Sequence, residues 1–114
     1  MKRYCLALDL KNDLALIDQY IAHHKSVWPE VLASIENSEI LQMEIFHIGD
    51  RLFLIVETTD TFSFEDKAAR DQVSDKVQEW EQLMDKYQAT LPFAKPNEKW
   101  VLMNKIFDFK QSKG

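Results

Sequence analysis

Apolar and polar residues alternate along residues 3–10. Tyr4, Leu6, Leu8 and Leu10 share one face, and Arg3, Cys5, Ala7 and Asp9 share the other, which is the period of a β-strand. From Leu14 the period changes. Leu14, Ile17, Ile21, His24, Trp28, Val31 and Ile35 recur at spacings of three and four, the apolar stripe of a helix. Asn12 or Asp13 is placed to cap it. Pro29 removes one backbone donor and strips the Lys25 carbonyl of its helical partner, which predicts a kink near residues 25–29. Glu36, Asn37 and Ser38 end the helix. Residues 40–48 and 51–57 read as two strands joined at Gly49-Asp50, where glycine at the first central position suits a type II′ hairpin turn. Leu52 to Val56 is continuously apolar, as expected of a strand buried on both faces. A second helical region covers about 62–88, with Phe64, Ala68, Val77, Trp80, Leu83, Met84 and Tyr87 as its apolar positions. A cap at Ser74 or Asp75 divides it in two. Leu91 to Pro96 reads as an irregular connection, and a last strand runs from about Lys99 to Phe107.

The element order β-α-β-β-α-β predicts an α+β fold, a ferredoxin-like sandwich with both helices on one face of an antiparallel sheet. The other sheet face also carries apolar residues and needs cover. A homodimer in which two sheets face each other, the dimeric α+β barrel type, provides it. The chain reads as one domain over residues 1–110, followed by a polar tail at 111–114. It shows no internal boundary, repeat or low-complexity segment.

The apolar fraction of 46% over 114 residues is enough for one buried core. The net charge of −5 argues against nucleic acid, since phosphate binding needs a basic patch and the lysines are interspersed with acids. No apolar run approaches the roughly 18 residues of a membrane span. Met1-Lys2-Arg3 followed by apolar residues begins like a signal peptide, but Asp9 stops the run too early. A single cysteine, Cys5, excludes an intrachain disulfide and reads as a small core residue. The expectation is a soluble, cytoplasmic protein.

The candidate chemistry lies at residues 20–30. Tyr20 and His24 stand four apart, so a phenol and an imidazole share one helix face, one turn apart. An imidazole, with an ordinary pKa of about 6.5, can donate or accept a proton near neutrality. Beside Trp28 and Pro29, such a group suits a small polar molecule with apolar faces, such as a sugar. Plainer readings stand next to this one. A histidine in an apolar stripe also fits a satisfied core residue, Trp28 a packing anchor, and Tyr20 a helix-flank residue whose hydroxyl reaches water. His23 faces away from the stripe and is expected in solvent. His47 lies near a strand end, and no histidine has a partner at metal-ligand spacing. Tyr87 and Trp100 read as packing residues. Glu79, Glu81 and Asp85 fit a solvated helix face.

The string Tyr20-x-x-x-His24-x-x-x-Trp28-Pro29-Glu30, followed by Gln78-Glu79-Trp80, resembles the L-rhamnose mutarotase family over nearly the whole chain. The resemblance implies a cofactor-free, metal-free, dimeric ferredoxin-like enzyme that interconverts the α and β anomers of a 6-deoxy hexose. It implies His24 as the proton donor and Tyr20 and Trp80 as sugar contacts. Two positions depart from the family pattern. Glu81 stands where many members carry a second tryptophan, and Met43 where many carry a tyrosine. The catalytic pair is kept while sugar-facing groups change, which looks like the branch associated with L-fucose. Both positions are therefore candidate substrate contacts. Ring opening needs a proton on the ring oxygen and the loss of another from the anomeric hydroxyl. His24 is the candidate acid, and water or Glu81 the second carrier. Two other functions fit the fold: a cofactor-free monooxygenase of the dimeric α+β barrel type, by analogy of fold alone, and a non-catalytic small-molecule binding module.

Overall fold

The computed structural model describes residues 1–113. Strand β1 (Lys2–Leu10) is followed by helices α1 (Leu14–His23) and α2 (Pro29–Glu36), strands β2 (Ile40–Ile48) and β3 (Arg51–Thr58), and helices α3 (Phe64–Gln72) and α4 (Asp75–Asp85). Two short strands, β4 (Gln88–Ala89) and β5 (Val101–Leu102), and helix α5 (Phe109–Lys113) complete it. The strands form one antiparallel sheet in the order β2-β3-β1-β4, with β5 also paired to β1. The expected α+β class, an antiparallel sheet with helices on one face, is observed.

Register explains which residues form the core. Leu6, Leu8 and the β3 residues Leu54 and Leu52 pair directly across β1 and β3, so all four project toward the helices and are buried. A first cluster gathers Leu10, Ile17, Tyr20, Val31, Leu52, Trp80, Met84 and Tyr87. A second gathers Leu6, Ile40, Leu54, Val56 and Phe62, and Trp100 packs against both. The hairpin between β2 and β3 closes through two residues, with Gly49 at φ 57°. That positive φ is open to glycine at little cost and suits the expected turn.

Within a single copy of the chain, the continuous apolar run of β3 is fully buried on one side only. Leu52, Leu54 and Val56 are buried, whereas Phe53 and Ile55 on the opposite face are half-buried. Cys5, paired with Ile55, lies on that same outer face and is half-buried rather than a core residue.

Pro29 starts a helix instead of kinking one. Asp13 caps α1 by accepting from the Leu16 N–H at 3.1 Å, and α1 stops at His23. Trp28 then adopts an extended conformation and Pro29 takes the first helical position of α2. A proline forces its predecessor out of the helical region and fits the first turn, where its missing N–H costs nothing. The second helical region divides as expected, with Ser74 accepting from the Val77 N–H.

The last strand is much shorter than expected. The sheet position beside β1 is shared: Gln88 and Ala89 pair with Leu10 and Asp9, while Leu102 and Val101 pair with Leu6 and Ala7. Pro92 and Pro96 lie in the connection between these stretches and cannot donate to a ladder. Beyond Met103, whose N–H reaches the Cys5 carbonyl, the chain leaves the sheet. Asp108 accepts from the Gln111 N–H and from Lys105, so a helix occupies part of what reads as a polar tail.

Asp71 ties the helical layer together. It is buried and accepts from Ser34 Oγ of α2 and from Lys67 Nζ of its own helix, both at 2.6 Å. Its carbonyl accepts from Gln78 Nε2 of α4 at 3.0 Å. Three helices are thereby fixed against one another beside the site. No helix among the described residues is long and apolar enough to cross a membrane.

Candidate functional site

A cleft of about 970 Å3 lies between the helical layer and the sheet. Tyr20, His24, Met43, Trp80 and Glu81 all line it. The five positions come from α1 and its C-terminal end, from β2 and from α4, and the fold brings them together.

Tyr20 forms part of the floor, with 3% of its surface exposed. Burial pushes its phenol above the ordinary value, and a side-chain hydrogen bond from Gln88 partly offsets this. Tyr20 therefore remains a protonated phenol through the neutral range, a hydrogen-bond donor rather than a base.

His24 is the C-cap of α1 and is half-buried. Its Nδ1 lies 2.9 Å from the Tyr20 carbonyl. A carbonyl oxygen only accepts, so Nδ1 carries the proton and Nε2 is the basic nitrogen of the neutral ring. Burial lowers the His24 pKa; the bond to the Tyr20 carbonyl opposes this, and nearby His23 adds to it. The imidazole is therefore neutral at pH 7. Its ring lies 4.4 Å from that of Tyr20 and 5.5 Å from that of Trp80.

Trp80 is 8% exposed and belongs to the core as well as to the cleft wall. It meets His24 and Trp28 edge to face, at interplanar angles of 70° and 72°. Trp28 is the packing anchor its position predicts. Glu81 is half-buried, and its Oε2 accepts from Gln78 Nε2 at 3.3 Å. It is thus not part of a freely solvated face. Met43 projects from β2 toward the helices, paired with Val56.

His23 departs from expectation. Instead of lying in solvent it is half-buried, with Nε2 3.1 Å from the Tyr87 hydroxyl. Tyr87 follows the end of α4, and its ring closes over the end of α1 at 5.5 Å from the His23 ring. Tyr87 packs as expected, while Trp100 both packs and lines the cleft. Gln88 also lines the cleft and is missed by sequence reasoning. It sits in a two-residue strand that has no periodicity to mark which way its side chain points. His47 bonds the Gly49 carbonyl at the hairpin tip. Among the described residues, no three or more His, Cys, Asp or Glu side chains are grouped to hold a metal ion.

Comparison with known proteins places the chain in a family. The model of the family described as L-rhamnose mutarotase matches residues 3–109. The chain belongs to the L-rhamnose mutarotase family. It is 43% identical over 109 residues to an L-fucose mutarotase of Xanthomonas campestris pv. campestris, an alignment covering 94% of this chain and 87% of that one. It is 36% identical over 117 residues to a UPF0734 protein of Dictyostelium discoideum, covering 96% and 94%. Among solved structures, an L-rhamnose mutarotase from Formosa agariphila superposes with a TM-score of 0.69 at 15% identity, over 95% of this chain and 98% of that one. The tetracenomycin F2 cyclase of Streptomyces glaucescens superposes with a TM-score of 0.58, also at 15% identity, over 95% and 96%. At that identity the two structures speak for the fold alone.

Proposed function

We propose that this mutarotase-family protein interconverts the α and β anomers of a 6-deoxy hexose, with L-fucose preferred over L-rhamnose. The observation that carries the reading is the convergence of Tyr20, His24 and Trp80 on one cleft, with the His24 Nδ1 proton committed to a backbone carbonyl. In ring opening, His24 Nε2 takes the proton of the anomeric hydroxyl. The bond from the anomeric carbon to the ring oxygen breaks, its electron pair passes to the ring oxygen, and that oxygen takes a proton from solvent relayed through water in the cleft. The open aldehyde rotates about the adjacent carbon–carbon bond. Closure reverses each transfer, and the His24 imidazolium returns its proton to the anomeric oxygen as the acid. One positioned acid/base group supplies roughly 10²–10⁴-fold. Tyr20 donates to a sugar hydroxyl. The edge of Trp80 that borders the cleft offers an apolar wall to the ring C–H groups and the 6-methyl group.

The preference for L-fucose is supported by the Xanthomonas relative and by Glu81 and Met43 in the cleft wall. A carboxylate accepts a hydroxyl hydrogen bond, which an indole in its place does not. The two sugars differ in hydroxyl configuration, so one acceptor can distinguish them. The test is saturation-transfer NMR of the anomeric protons of L-fucose, L-rhamnose and other deoxy hexoses. Accelerated exchange with no added cofactor is expected, fastest for L-fucose. Exchange equal to the buffer blank for every sugar overturns the reading.

The working form is a homodimer in this reading. The sheet face turned away from the helices presents Phe46 at 52% and Ile48 at 80% exposure, beside half-buried Phe53 and Ile55. Exposed apolar surface of this kind supports an interface, and a second copy would supply a matching face.

A further inference from the structure

Gln88 Oε1 is the one buried side-chain polar atom left without a hydrogen-bond partner among the described residues. Its backbone is fixed in β4 opposite Leu10, and the residue lines the cleft together with Tyr20, whose phenol its side chain pulls downward in pKa. A buried amide oxygen without a donor is costly, and native folds rarely keep one. A leucine or methionine would fill the same space without that cost. An acceptor retained next to Tyr20 is explained if its donor arrives with the ligand.

We infer that Gln88 is a sugar-positioning residue. Its Oε1 accepts a hydrogen bond from a hydroxyl of the bound deoxy hexose. Its amide N–H donates to the Tyr20 oxygen and so leaves the Tyr20 proton free to point at the same sugar. One side chain thereby sets the polarity of a two-residue clamp, an acceptor and a donor side by side. This inference rests on the mutarotase reading, because it is the sugar that supplies the missing donor.

The test compares the native protein with Gln88→Leu and Gln88→Glu. Anomer exchange of L-fucose and of L-rhamnose gives kcat and KM, and melting temperature is read on the same samples with and without each sugar. Gln88→Leu is expected to raise KM about 3–10-fold, the range for one lost neutral hydrogen bond, with a smaller effect on kcat. Its melting temperature without sugar is expected to change little, because the lost donation to Tyr20 and the removal of the unpartnered oxygen offset one another. Gln88→Glu keeps an acceptor and is expected to recover part of the lost affinity. A folded Gln88→Leu protein with native KM for both sugars overturns the inference while leaving the mutarotase reading intact. If Gln88→Leu fails to fold, Gln88→Met, which keeps the side-chain length, decides by the same KM comparison. A native protein that neither accelerates exchange nor gains melting temperature with either sugar overturns the mutarotase reading, and this inference with it.

Discussion

The Nδ1–H of His24 donates to the backbone carbonyl of Tyr20, one helical turn earlier, over 2.9 Å. That carbonyl lies in the last turn of α1, where it also accepts from the His24 backbone N–H at 3.4 Å. The helix end thus holds the imidazole by one nitrogen and assigns its tautomer. The Tyr20 side chain, on the same turn, lies in the cleft floor. One turn of helix therefore supplies both a basic nitrogen and a neutral hydroxyl donor.

The protonation state of His24 gives a pH profile. Burial holds its folded pKa below the ordinary 6.5, and in the proposed mechanism Nε2 enters ring opening as a base. Exchange should rise with pH through that lowered pKa and be flat at neutrality, measured as kcat/KM for L-fucose across the acid range. A rate that falls as pH rises through the same window would assign the imidazolium as the entering acid instead. Stability has the same direction. The unfolded chain binds the proton first as pH drops below 6.5, so the His24 contribution is complete above 6.5 and is lost as pH falls through the folded pKa.

Tyr20→Phe removes one hydroxyl while keeping the ring that fills the floor. KM for the sugar should rise roughly 3–10-fold, with kcat changed less, as for a neutral hydrogen bond. Loss of kcat as large as that of a His24 variant, with KM unchanged, would place the phenol in the proton transfer itself.

Glu81→Gln tests the basis of sugar choice. A hydrogen bond to a charged group is worth about 1.5–3 kcal/mol, which corresponds to roughly 10–100-fold in affinity. The variant should lose preference for L-fucose over L-rhamnose by up to that factor, read as the ratio of kcat/KM values. Glu81→Trp should shift the ratio further toward L-rhamnose. Equal rates for the two sugars in the native protein, unchanged in both variants, remove Glu81 from the account.

Much of this was legible in the sequence, for physical reasons that differ by element. Strand β1 and the hairpin follow strict alternation and one glycine turn, so local pattern decides them. Of the five candidate positions, only His24 and Trp80 belong to the apolar stripes; Tyr20, Met43 and Glu81 are marked by the family resemblance, and periodicity alone reads Glu81 as a solvated face. The division at Pro29 was visible as a break in the ladder, but its form depends on Trp28 taking an extended conformation. The short strands β4 and β5 carry no period of their own, since the partner β1 decides which residues pair. Gln88 was invisible for that reason. His23 was misplaced because Tyr87, 64 residues later, reaches it only in the folded chain.

The outer sheet face predicts assembly. Sedimentation equilibrium should give a dimer at micromolar concentration, with an interface burying more than ~1,000 Å2 in total. Phe46→Glu, which places a charge on that face, should shift the protein toward monomer. A native protein that sediments as a monomer, with the same mass in Phe46→Glu, contradicts this arrangement.

In the proposed mechanism His24 moves the proton that opens and closes the sugar ring. The direct measurement is saturation-transfer exchange of the L-fucose anomeric protons at pH 7, with native protein and His24→Gln at equal concentration and melting temperatures recorded on both. Glutamine keeps polarity and approximate size but cannot exchange a proton near neutral pH. The expected result is a folded variant whose exchange rate falls by on the order of 10²-fold or more. A folded His24→Gln protein that exchanges L-fucose at the native rate would contradict it.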